Sequence, residues 1–195
     1  ADDPAGFVIS KRLDARSRGL SVALDNVGTA KNVLAIAEGG LLNIQDILIT
    51  MKEKVTQAAS DALGSAERNA IKSELDQLTE EISNIVDETT FNGIVLLDGT
   101  YTGVSFQTGE DTTNTLIFSI DNDNRAANLT VDTANVSSRV FTASGSSIAL
   151  SNVDNAIELL ADTLQDIGAM VSRMTVKETT LQIAITNTEA TKSRI

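Results

Sequence analysis

Apolar residues recur every seven positions through the opening stretch of the chain: Leu13, Leu20, Val27, Leu34, Leu41, Leu48 and Val55. Ala23, Ala30, Ala37, Ile44, Met51 and Ala58 fill the positions three further on. Such a repeat keeps one stripe of a helix turned toward a partner along its whole length. A second seam near the other end steps by three and four through Val153, Ile157, Leu160, Leu164, Ile167, Val171, Met174, Leu181 and Ile185. Two seams this long commit the chain to packing helix on helix.

The rest of the composition fits that constraint. Aromatic residues make up only 3% of the 195 residues, so the core must be filled by Leu, Ile, Val and Ala, which suits closely spaced helices. A formal charge of -12 argues against a nucleic-acid partner or an anionic membrane surface. Neither Cys nor His occurs, which removes disulfides, thiolate nucleophiles, the commonest general base and the commonest metal ligand. No unbroken apolar run reaches the roughly 20 residues of a membrane span, so no membrane role is expected. Without an initiating Met or a signal peptide, the chain is expected to be part of a longer protein.

The first helix is predicted from about Pro4, capped by Asp2 or Asp3, to about Ser60. Gly6, Gly19, Gly28, Gly39 and Gly40 interrupt it, marking either bends that the seam tolerates or points where another backbone comes close. Ser65 is placed to cap a second helix, whose stripe reads Ile71, Leu75, Leu78, Ile82 and Ile85; it should fold back antiparallel on the end of the first. Beyond Thr89 the texture changes. Asn92-Gly93 and Asp98-Gly99 are turn dipeptides. Val104 and Phe106, then Leu116, Phe118 and Ile120, alternate at period two and predict a hairpin around Gly109–Asn114. Leu129 and Val131 suggest a further short strand, and the last helix should start between Ser147 and Asn152 and run to the end. The expected fold is mainly α with a small β region. It is an antiparallel three-helix rod-like bundle, two N-terminal helices and one long C-terminal helix, with a β-hairpin subdomain at one end. One domain over 1–195 would hold a long helix at 1–60, a second at 65–88, a β/loop region at 89–146 and the last helix at 148–195.

Candidate chemistry is sparse. Asp121-Asn122-Asp123-Asn124, with Asp132 at the twelfth position, has the opening of a calcium loop, but Arg125 takes a ligand position and Ala126 replaces the required glycine. Glu80-Glu81 are neighbours that point apart on a helix and make a poor acid–base pair. Asn128-Leu129-Thr130 and Asn135-Val136-Ser137 match the short glycosylation triplet. No catalytic residue, metal site or cofactor is assigned, and an enzyme is not expected.

Asp2-Asp3-Pro4-Ala5-Gly6 followed by Ile9-Ser10, Arg18-Gly19-Leu20 and Glu38-Gly39-Gly40-Leu41 are similar to stretches of the N-terminal arm of bacterial flagellin, which the organisation as a whole resembles. Thr90-Phe91-Asn92-Gly93 with Leu96-Leu97-Asp98-Gly99 resembles the family's junction beyond the second helix, and Ser193-Arg194-Ile195 resembles its C-terminal close. The resemblance covers about residues 1–100 and 150–195 and leaves the middle unmatched.

What the resemblance implies is a structural subunit of the secreted, extracellular flagellar filament, packing with copies of itself. The alternative is the related hook–filament junction (hook-associated) protein. A metalloprotease insertion, known in some flagellins, would need histidines that this chain lacks. The resemblance also implies terminal segments outside this chain that drive export and assembly, so the 195 residues alone should be monomeric. The short middle implies little outer domain, with Ser137–Ser147 as a candidate O-glycosylated stretch. The family is also recognised by Toll-like receptor 5 on a face shared with filament packing. On that face Gln57 and Glu74 match the receptor's pattern, whereas Thr50 stands in place of an arginine and Lys54 in place of a leucine. Weak receptor binding is therefore expected.

Overall fold

A computed structural model describes residues 4–195. Three helices dominate: α1 Pro4–Ala58, α2 Ser65–Glu88 and α3 Ala143–Lys192. Two small antiparallel strand pairs lie between α2 and α3, β1 Thr90–Phe91 with β2 Ile94–Val95 and β3 Val104–Gln107 with β4 Thr115–Phe118. The mainly α class with a small β part is as expected from the sequence. The cap expected at Asp2 or Asp3 lies outside the described residues.

The chain forms two compact units. The first, here the hairpin unit, contains α1 up to Leu34, Gly103–Phe118 and Gly168–Ile195. Leu20, Ala23, Val27, Ala30 and Leu34 are buried on its α1 stretch, and Met170, Met174 and Leu181 on its α3 stretch. The two stretches run antiparallel, since Asp14 pairs with Lys192 and Lys31 with Glu178, the latter at 2.7 Å. The hairpin has the predicted alternation: Leu116 and Phe118 face inward while Ile117, between them, is exposed. Its long loop is drawn shut by Gln107, whose Nε2 donates to the Gly109 and Asp111 carbonyls at 2.8 and 2.6 Å. Asn26 of α1 holds the hairpin by donating to the Gln107 carbonyl at 3.2 Å, and Arg16 pairs with Glu110 at 2.8 Å.

The second, the loop unit, contains Ala35–Thr102 and Ser119–Ile167. Leu41, Ile44, Leu48, Met51 and Val55 of α1 are fully buried in it, with Leu75, Ile82 and Val86 of α2 and Val153, Ala156, Leu160 and Ile167 of α3. On α2 the buried residue of the last turn is Val86, while Ile85, named in the expected stripe, is half-buried. The β1–β2 turn is Asn92-Gly93, with φ of 50° and 78°, the left-handed pair that the tightest hairpins need and that glycine adopts without strain.

Several boundaries differ from the sequence reading. α2 begins with Ser65 inside the helix and Gly64 at the cap, with no side-chain cap bond. α3 begins at Ala143, before the expected Ser147, because the Thr142 hydroxyl accepts from the Gly145 N–H at 3.0 Å and caps the first turn. It ends at Lys192, short of the last residue. Leu129 and Val131 form no strand. Thr130 between them has a φ of 58°, and the N–H groups of Leu129 and Val131 donate back to Arg125 and Ala126 in local turns. By length and composition α1 is apolar enough to cross a membrane, although no unbroken apolar run of about 20 residues occurs in it. Its apolar stripe is instead buried against protein in each unit, and Asp25, Lys31, Glu38 and Asp46 interrupt the sequence.

Candidate contact face

Thr50, Lys54 and Gln57 stand at i, i+4 and i+7 on α1, a spacing that stacks them on one side of the helix. α2 returns antiparallel beside that end of α1. Its first turn meets Ala58, Glu74 meets Lys54, and Thr89 just past its end meets Gly40. The turn-back thus brings Glu74 to the α1 stripe, with Lys54 Nζ 2.7 Å from its Oε1. The Thr50 hydroxyl donates to the Asp46 carbonyl of its own helix at 3.0 Å. Gln57 is exposed and has no side-chain bond among the described residues. Lys52, on the next stripe, pairs with Asp154 of α3 at 2.7 Å. The face is therefore a half-buried ion pair flanked by an inward-satisfied hydroxyl and one free amide. It offers hydrogen bonds and charge.

The Asp121–Asn124 loop holds itself together. Asp123 accepts from the Arg125 backbone N–H and guanidinium and from the Asn128 amide. Asn124, almost fully buried, donates to the Leu97 and Asn122 carbonyls. These bonds make the loop a structural turn that fastens the end of the β region. Ser137, in the candidate glycosylation stretch, is fully buried; its hydroxyl donates to Asp76 and lies 3.2 Å from the Thr133 carbonyl. That hydroxyl is closed to modification in the folded chain. Burial would raise Asp76, but hydrogen bonds from Lys72 and Ser137 outweigh it and hold the carboxyl below its ordinary value.

Sequence reasoning missed Arg68. It is 8% exposed, and its guanidinium donates to the carbonyls of Ala58, Ser60 and Val140, the last two at 2.8 Å each. The final carbonyls of a helix lack partners within the helix and carry its negative dipole end, so a buried cation there is stabilising. The available signal was register: Arg68 lies three residues before Ile71 and seven before Leu75, in line with the apolar stripe rather than outside it.

Residues 1–102, just over half of the chain, match the bacterial flagellin N-terminal helical region. The chain belongs to the bacterial flagellin family. Polar flagellin A of Vibrio parahaemolyticus is 39% identical over 119 residues, which are 61% of this chain and 32% of that flagellin. The chain thus spans about a third of the length of the curated flagellins it matches. Among solved structures, Bacillus cereus flagellin superposes with a TM-score of 0.70 at 22% identity, covering 80% of this chain and 88% of that one. A chain described as a flagellar hook-associated protein from Vibrio parahaemolyticus gives a TM-score of 0.84 at 13% identity, covering 100% and 99%. At these identities both structures speak for the fold alone, whereas the flagellin assignment stands on sequence.

Proposed function

We propose that this chain is the helical core of a flagellar filament subunit, which packs with copies of itself in the extracellular filament of the bacterial flagellum after export. The observation that carries the reading is the flagellin match over residues 1–102, which spans α1, α2 and the first strand pair. A face of hydrogen bonds and charge agrees with a mechanical role, and no catalytic role is proposed. Many weak contacts repeated by symmetry suit a tube that transmits torque. The 195 residues alone are accordingly monomeric in dilute solution, and sedimentation showing spontaneous polymer would refute that.

The test of the main reading is polymerisation of the full-length gene product. Helical filaments in electron micrographs, with antibody label along their whole length in cells, are the expected result. Label confined to the base of the filament would favour the second reading, a hook–filament junction protein, which the full-length superposition on a hook-associated chain supports at the level of fold.

Recognition by Toll-like receptor 5 is weak on this reading. Thr50 and Lys54 offer neither an arginine nor an apolar anchor, and Lys54 is already held by Glu74. In a cell reporter assay, Thr50→Arg combined with Lys54→Leu should raise potency by about tenfold or more, the order of one hot-spot contact. Potency of the unaltered protein equal to that of a strong agonist flagellin would sink the idea.

A further inference from the structure

Acidic residues outnumber basic ones by 27 to 15, and most of the cations are held by carboxylates of the same chain. Arg173 and Lys177 are not. They stand one turn apart on the α3 stretch of the hairpin unit, and neither has an ion-pair or hydrogen-bond partner among the described residues. Both line an open groove with Leu116, Ser172, Val176 and Thr180. The Ser172 and Thr180 hydroxyls are satisfied by carbonyls of their own helix, at Gly168 and Val176. The groove therefore presents two unpaired cations beside Val176, which is 66% exposed.

The loop unit carries the complement on its own surface. Glu158, Asp162 and Asp166 step by four along its stretch of α3, which sets them on one helix face. All three are exposed, and none has an ion-pair partner among the described residues. Leu159, 46% exposed, lies beside them. Like charges one turn apart repel, and an incoming pair of cations relieves that repulsion. Each surface thus combines charge with an exposed aliphatic side chain.

We propose that the Arg173–Lys177 groove of one copy receives the Glu158–Asp162–Asp166 face of a second copy. The proposal rests on the filament-subunit reading and names a contact which that reading leaves open. Made head to tail, as a growing filament requires, the contact leaves one groove and one acidic face free on the ends, and growth continues. Between chains of net charge -12 most approaches are repulsive, and pairing the unpaired cations with this face favours one register over the others.

The test uses the full-length protein. Arg173→Glu with Lys177→Glu, or Asp162→Lys with Asp166→Lys, should each raise the critical concentration for polymerisation by about tenfold, a sum of several weak surface pairs. Both reversals together should bring it back to within about threefold of the unaltered protein. No change with either reversal, or no recovery in the combination, overturns the proposal. Circular dichroism of each variant guards against misfolding. A second measurement needs no filament: in a background freed of any other cysteine, which these 195 residues lack, copies carrying Asp162→Cys are mixed with copies carrying Val176→Cys under oxidised glutathione. A mixed disulfide-linked dimer, formed in excess over either self-linked dimer, is the expected product, and its absence overturns the contact. If the unaltered protein forms no filament, the subunit reading fails, while the mixed disulfide still judges the contact by itself.

Discussion

The hairpin unit and the loop unit each take a stretch of α1 and a stretch of α3, yet they complete their cores differently. In the hairpin unit the third partner is a regular strand pair, with Leu116 and Phe118 alternating into the core and a few polar ties at its edges. In the loop unit the partners are α2 and a chain of turns over residues 119–142, in which Leu129, Val131, Val136 and Val140 are buried without any strand. Regular backbone satisfies its own hydrogen bonds, whereas irregular backbone needs side chains to do so. The loop unit accordingly recruits Arg68, Asn124 and the Asp76–Ser137 pair, and the hairpin unit has no buried cation like Arg68 among its described residues.

The largest effect should come from the residue that most separates the two units. Arg68→Met keeps the length and the apolar stem of the side chain but leaves the Ala58, Ser60 and Val140 carbonyls without their donor. The expected loss is about 3 kcal/mol, from several charge-assisted bonds in a buried site. For a chain of this size that lowers the melting temperature by roughly 6–12 °C. Limited proteolysis should report cleavage in the α1–α2 connection first. A variant that melts like the unaltered protein would mean that the clamp is ornamental and that the two units are stabilised alike.

Two glycines of α1, one from each unit, sharpen the comparison, while Gly39 of the loop unit is as open as Gly28. A Cβ on Gly40, in the loop unit, would sit 2.6 Å from the Thr89 hydroxyl and 2.9 Å from Leu97 Cδ1. Thr89 cannot swing clear without giving up its 2.6 Å bond to the Ile85 carbonyl. Gly28, in the hairpin unit, has nothing within 4 Å of that position. Gly40→Ala should therefore destabilise by about 1–2 kcal/mol through overpacking. Gly28→Ala should stabilise by about 0.5–1 kcal/mol by restricting the unfolded chain and improving helix propensity. Urea unfolding followed by circular dichroism decides both, and equal signs would refute the contrast.

The two explanations offered for the helix glycines thus separate by position, which no periodicity could reveal. The helices and the β3–β4 hairpin were legible because burial on one face imposes a period, and the period is written in the sequence. Residues 119–142 were not, because each buried apolar residue there is placed by a local turn, and turns leave no repeating pattern. Leu129 and Val131 carry the strand alternation, and the positive φ of Thr130 with the local turns around it undoes it. Of the candidate face, Thr50, Lys54, Gln57 and Glu74 were named by the family resemblance alone, while the Lys54–Glu74 pair depended on the register of α2 against α1. Arg68 was hidden because a cation on an amphipathic helix is ordinarily solvated.

The hairpin unit supplies a smaller test. Gln107→Ala removes both bonds that draw the β3–β4 loop shut, at an expected loss of about 1 kcal/mol. Hydrogen exchange should quicken across Val104–Phe118 and stay unchanged at α2. Faster exchange at α2 as well would mean that the two units do not open separately.

The smallest effect is electrostatic and belongs to the loop unit. Asp76 accepts from Lys72 and Ser137, and in the folded chain its carboxyl lies below the ordinary value of 3.8. Above that value the carboxyl is ionised in both states, and its contribution to stability is fully present. As the pH falls below it, the unfolded chain takes up the proton first, so the contribution shrinks and is gone once the pH passes below the folded value. With about a third of the side chain exposed, solvent screening keeps the effect near a few tenths of a kcal/mol. Asp76→Asn should flatten that part of the pH dependence, measured as the difference in urea midpoint between about pH 6 and about pH 3. Asp14 is lowered chiefly by its hydrogen bond and charge pairing with Lys192, and it lies in the hairpin unit with its side chain 28% exposed. Asp14→Asn is therefore the matched control. If it flattens the acid response more than Asp76→Asn does, buried polar ties are not what distinguishes the loop unit.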